Sequence, residues 1–276
     1  MFLTKKSILK IVALAAFIFL VSCFCFCMMF LLEKMDIYIP FLGDLGLFTF
    51  GLCIFSVMCG WEAEGEGDLI YQGINLVHKE LRPADYISQY ISVKNDDNLI
   101  IAKPSFKVLQ QVLLAYDLLD DREMALATVE EMITIVGKRK KACAYILKAA
   151  LLYSYGRVDK AEELFELVKK MKLNAMSNVA MDVLLKGDRA MAIGDYKVAE
   201  AYHQKTLERK FPPADNVEKL VSYYSLGEIY EKLQENEKAI MHYQYCVVNG
   251  GETAIRKNAA KKLEGLKKDQ TAAIEE

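Results

Sequence analysis

One short motif returns four times along this chain, and a chain of returning motifs folds as a returning unit. The motif is Leu119-Asp120-Asp121-Arg122-Glu123-Met124-Ala125, then Tyr155-Gly156-Arg157-Val158-Asp159-Lys160-Ala161. It comes again as Ile193-Gly194-Asp195-Tyr196-Lys197-Val198-Ala199 and as Leu233-Gln234-Glu235-Asn236-Glu237-Lys238-Ala239. The closing alanines stand 36, 38 and 40 residues apart. Twelve residues before each lies Leu113, Ala149, Gly187 or Gly227, and four residues after each lies Val129, Phe165, His203 or Tyr243. The pattern around the motifs is helical, and the brief β-like stretch at 86–93 also fits a helix. Prolines avoid helix interiors: Pro83 is read between two helices, Pro104 at the start of one, and Pro212-Pro213 between two more.

This arrangement resembles the tetratricopeptide repeat, a helix–turn–helix unit. The fourth copy carries the resemblance best, with Tyr223-x2-Leu226-Gly227-x2-Tyr230 followed by Ala239-x3-Tyr243. A small residue on each helix (Ala125, Ala149, Ala161, Gly187, Ala199, Gly227, Ala239) lets two backbones approach, and large residues such as Tyr230 and Tyr243 fill the gap to the next repeat. The first copy departs from the pattern at Leu113 and Val129 and the third at His203. The spacings exceed the family norm of about 34, which implies longer helices or loops. Residues 69–93 look like a degenerate extra copy, with Tyr71 and Gly73 in its first helix. Residues 253–268, with Ala259, Leu263 and Leu266 on one face and lysines on the other, look like a polar-backed capping helix. The resemblance covers most of residues 68–268. The implied fold is all-α: a solenoid of about four to five helix pairs plus the capping helix over 69–268, then a flexible tail at 269–276.

The N-terminal part reads differently. Residues 1–61 hold seven charged side chains, and 11–32 is a run without any. Its 22 residues are enough for a helix to cross ~30 Å of hydrocarbon. A second apolar run, about 41–61, has Asp44 near one end and Trp61 where an interfacial aromatic belongs. The pair predicts a transmembrane hairpin. Lys5, Lys6 and Lys10 precede it, so the positive-inside bias places the N-terminus, and with it the repeat domain, in the cytoplasm. A rival reading is an exported bacterial lipoprotein acting in envelope assembly, since Leu20-Val21-Ser22-Cys23 looks like a lipobox with Cys23 as the lipidation site. Phe24 and its apolar successors argue against it, because a lipobox cysteine is usually followed by polar residues. Cys23, Cys25 and Cys27 alternate, so only Cys23 and Cys27 share a helical face, which is poor chelating geometry; they read as small apolar packers or as acylation sites. Residues 62–68, with Glu62, Glu64, Glu66 and Asp68 between glycines, read as an acidic linker.

The balance of 35 basic against 37 acidic residues gives no support to a nucleic-acid binder. The three histidines (His78 read as exposed, His203 in a packing position, His242 beside Tyr243) show no ligand spacing, and no P-loop, G-x-G-x-x-G or G-x-S-x-G is present. No catalytic residue, cofactor or metal site is predicted, and no small-molecule substrate is evident. The remaining candidate is the groove that first helices line in the family. Projected onto it are Gln110, Leu114, Asp117, Ile146, Ala150, Tyr153, Leu184, Asp188, Met191, Tyr224, Glu228 and Glu231. Relatives that clamp the C-terminal carboxylate of heat-shock chaperones use lysine, arginine and asparagine there, and none stands at these positions. The acidic end, Asp188, Glu228 and Glu231 with Tyr224 and Met191, favours a basic or mixed basic–apolar protein segment, although ordinary solvated helix faces look the same. Lys138-Arg139-Lys140-Lys141, after a Gly137 read as a helix C-cap, is either a solvated loop complementing that helix end or a contact with anionic lipid.

Overall fold

The computed structural model describes residues 67–95, 104–171, 173 and 185–275. The two expected spans, Cys23 and Leu184 lie outside the described residues. Among the described residues the protein is helical, with one isolated β-bridge between Lys210 and Pro213. No helix among them is long and apolar enough to cross a membrane. The unit that begins at Asp68 carries all the elements that follow.

A helical turn from residue 67 leads into α1 (Gly73–Lys79), which is wound as a π-helix. Then come α2 (Pro83–Lys94), α3 (Phe106–Leu118), α4 (Arg122–Ile135), α5 (Lys138–Ser154) and α6 (Val158–Lys169). After these follow α7 (Lys186–Ala192), α8 (Tyr196–Glu208), α9 (Asn216–Lys232), α10 (Asn236–Asn249) and α11 (Ala254–Glu275). Within the array α3 packs on α4, α5 on α6, α7 on α8 and α9 on α10. Each hairpin also touches its successor, through α4–α5, α5–α7 and α8–α9, and α10 packs on α11.

The four motifs fold alike down to the backbone. Each helix pair is joined through one left-handed residue five positions before the motif alanine: Asp120 (φ 58°), Gly156 (φ 71°), Gly194 (φ 82°) and Gln234 (φ 62°). In each case the following N–H reaches five residues back, as from Asp121 to the Tyr116 carbonyl at 3.0 Å and from Glu235 to the Tyr230 carbonyl at 2.8 Å. That closes the helix end and satisfies an otherwise orphaned carbonyl. The next helix is then capped where the motif offers aspartate: Asp121 accepts from the Met124 N–H and Asp195 from the Val198 N–H.

The small-to-large pairing is visible in space. A Cβ on Gly227 would come within 2.6 Å of the Tyr243 ring, and one on Gly187 would touch Tyr202 at 3.4 Å and His203 at 3.9 Å. The first copy has Leu113 and Val129 at these positions, both in the core. All seven of the small and closing positions read from sequence are buried, and Tyr230 and Tyr243 with them.

Several expectations need correction. Pro83 is the first residue of α2, not a separator between helices. Gly137 is the N-cap of α5 (φ −69°, ψ 167°), so the basic run stands in the first turn of a helix and not past the end of one. There the helix dipole opposes cations; Lys140 and Lys141 instead lie over the Phe106 and Tyr145 rings, at 5.4 and 5.9 Å. The helix expected to stop near 268 continues to Glu275, where a flexible tail was expected. His78 is half-buried, and its contacts tie the two ends of the array together.

That tie has no counterpart in the sequence reading. α1 packs on α2 and α3 and also on α9. Asn216 donates to the Lys79 carbonyl at 2.8 Å, and the Glu252 N–H donates to the Leu81 carbonyl at 2.9 Å. One apolar core consequently includes residues from Leu69 to Leu266, and the helix array is closed on itself.

Candidate functional site

The projected groove residues separate into two groups. On α5, Ile146, Ala150 and Tyr153 are buried, at 0, 9 and 3% exposure. They belong to a second core cluster with Leu185, Val168 and Ala161, so they hold the neighbouring hairpin and do not line an open groove. The projection failed here because α5 is apolar on several faces, and periodicity cannot say which of them a neighbour covers. On α3, α7 and α9 the projected residues Gln110, Leu114, Asp117, Asp188, Met191, Tyr224, Glu228 and Glu231 are half-buried.

The charge of one buried carboxylate reaches another on a non-adjacent hairpin. Burial, and then the charge of Asp117, push the Asp188 pKa up to about 7. Asp117 is itself shifted upward by burial, although it accepts a 2.8 Å bond from the Tyr155 hydroxyl, which works the other way. Asp117 of α3 thus stands near enough to Asp188 of α7 for its charge to disfavour ionisation there. Near neutrality Asp188 is only partly ionised.

At the other end the charge is also muted. Glu231 accepts from Tyr243 at 2.8 Å and holds Lys262 of α11 at 3.0 and 3.1 Å. Burial opposes its ionisation, but those bonds outweigh it and its pKa falls. Burial raises the Glu228 pKa against the pull of Lys262. Tyr224 tilts against Tyr243, with ring centroids 5.7 Å apart. Beside it opens a recess of about 350 Å³ between α9 and α11, lined by Tyr224, Glu231, Asn258, Lys261, Lys262 and Leu266 among others. At the acidic end expected from sequence, Glu228 and Glu231 thus face Lys262 of the capping helix, and the recess mixes cationic, amide and apolar surface. Those lysines were legible as the polar back of a cap, but nothing in their spacing announced Glu231 as partner.

The histidines divide too. His203 is buried in its packing position, and burial alone depresses its pKa to about 4. His242 lies between the Tyr223 and Tyr230 rings, at 5.5 and 5.2 Å, and its pKa is lowered, chiefly by burial. Among the described residues no group of three or more His, Cys, Asp or Glu could hold a metal ion. Cys143 and Cys246 are free and buried.

Family models, curated proteins and solved structures return no match to this chain.

Proposed function

We propose that the protein is a membrane-tethered adaptor of the tetratricopeptide type. Residues 11–61 anchor it with two spans, and the first helices of its hairpins present a surface to a protein or peptide partner. The observation that supports this best is recurrence at the backbone level: four hairpins share one left-handed turn and one buried alanine. A stack of such units serves as a scaffold. Tethering raises the effective concentration of a weak binder against partners on the same membrane.

The recess beside Tyr224 is the contact point that the geometry favours. Its mixture of Lys261, Lys262, Asn258 and apolar Leu266 suits a segment bearing an apolar side chain next to an acid or amide. This replaces the basic partner read from sequence, because Lys262 already occupies Glu231. A photo-crosslinking residue at position 224 of the full chain, in native membranes, should capture a defined partner, and the same probe at exposed Met241 should not. Equal capture from both positions, or none from 224, overturns the reading. Accessibility of a reporter at position 276 distinguishes a cytoplasmic domain from an exported one. Lipidation of Cys23 with loss of residues 1–22 would establish the lipoprotein alternative instead.

A further inference from the structure

The closure of the array runs through one histidine. His78 Nδ1 lies 2.7 Å from Asp215 Oδ2, and its Nε2 lies 3.0 Å from Gln111 Oε1. With both ring nitrogens facing oxygens, both must donate, and only the imidazolium can do that. The neutral ring keeps both bonds only if the Gln111 amide turns to donate, and it then faces Asp215 without a charge. His78 therefore joins α1 to α3 and, across a sequence separation of 137, to the N-cap of α9.

The surrounding charges leave His78 as the group that titrates. α9 contributes Asp215 and Glu218; Glu218 is held by Arg209 at 2.6 Å and closes the α9 capping box. α3 contributes the neutral Gln111, since its Lys107 is exposed and its Asp117 is bound to Tyr155. Of the charges on α2, Asp85 pairs with Arg82 and Lys94 lies over the Tyr90 ring. Lys79 on α1 is exposed. Burial works to lower the His78 pKa, but the Asp215 bond and charge, Gln111 and Glu218 outweigh it and the net shift is upward. Asp215, against the cost of burial, is shifted downward chiefly by the same bond.

The rest of the seam is narrow. Leu81 sits in the left-handed region at φ 55°, an unfavourable place for a branched side chain, and its side chain is buried. Gly251 faces it so closely that a Cβ there would meet Leu81 Cβ at 2.5 Å. Beyond this hook stand the two bonds from Asn216 and Glu252 and a long pairing of Arg82 with Glu252 at 3.9 Å.

We propose that this seam is a proton-gated clasp: with His78 protonated, α1 holds α9 and the Leu81 hook holds the turn between α10 and α11, which closes the array, and loss of that proton lets α1 part from α9 and opens it. The use of the opening, admission of a partner, rests on the adaptor reading; the clasp itself needs no partner to be observed. The sign follows from the upward shift. A raised folded pKa stabilises the closed form fully below the unfolded value near 6.5, and that contribution is lost as pH rises through the folded value.

Hydrogen exchange of the full chain, at about pH 6 and about pH 8 and corrected for intrinsic rates, tests this. Amides of 73–82 and 249–254 should exchange at least about threefold faster at the higher pH, while those of α5 and α6 stay level. His78→Gln should erase the step. So should Asp215→Asn, which keeps the helix cap but removes the charge. A seam that exchanges equally at both pH values, or a step that survives in His78→Gln, overturns the clasp. A partner captured at Tyr224 alongside a pH-flat seam ends the clasp and leaves the adaptor. A pH step lost in both variants, with no partner captured, upholds the clasp and ends the adaptor.

Discussion

Single side chains in this protein are chosen against the residue they face. Gly227 exists because Tyr243 fills its space, and Tyr243 is fixed by its bond to Glu231. Gly227→Ala should cost about 1–3 kcal/mol in a chemical melt, and Tyr243→Leu in the same chain should recover part of that loss. Ala199, completely buried, should tolerate no charge: Ala199→Asp should cost ~2–4 kcal/mol, read as a lowered Tm. His203 is a core residue whose Nε2 finds no hydrogen-bonding partner among the described residues. Its folded pKa, down at about 4, lies below the unfolded value near 6.5, so the unfolded chain binds the proton first. Stability should fall as pH drops from about 6.5 to about 4, by up to about 3 kcal/mol from this residue alone. His203→Phe should remove that part of the slope and raise stability by about 1 kcal/mol at neutral pH. This dependence runs opposite to that of His78, so a pH–stability profile of the two single variants separates them.

At the scale of elements, the turns were the most legible part. Gly156 and Gly194 advertise a left-handed position, and equal spacing from Ala125 and Ala239 assigns the same role to Asp120 and Gln234. Gln234 has no glycine-like freedom, so Gln234→Gly should stabilise the α9–α10 hairpin by about 0.5–1 kcal/mol, measured by urea unfolding. Other elements were misread for physical reasons. One helix ends at Ile135 and the next begins at Lys138, so a glycine between them could be read as the stop of the first or the start of the second, and the basic run after it had no sign of its own. The α5 face carrying Ile146 and Tyr153 is apolar like the groove it was assigned to, and only the arrival of α7 decides that it is core. The lysines of α11 read as a solvated back, whereas Lys262 reaches across to α9.

For the whole molecule, sequence periodicity foretells a row of hairpins and says nothing about whether its ends meet. The residues that make them meet, His78, Leu81, Asp215 and Gly251, lie outside the four motif copies and share no spacing. An open row of repeats unfolds from its ends inward. This closed one should instead lose α1 through α11 in one urea transition, monitored in parallel at Tyr71 and at Val248. His78→Gln should split the two probes below neutral pH, where the protonated wild type unfolds as one.

The clasp also lies where mechanical load would enter. Tension applied from residue 67 reaches α1 first, and α1 and Leu81 are held by α9 and the turn that follows α10. A pull on that residue would strain the Leu81 hook and the His78 bridge before any hairpin is stretched. In force spectroscopy the earliest rupture should release about as much contour as the chain between Leu81 and Glu252 permits while the hairpins stay folded, and it should come at lower force in alkali.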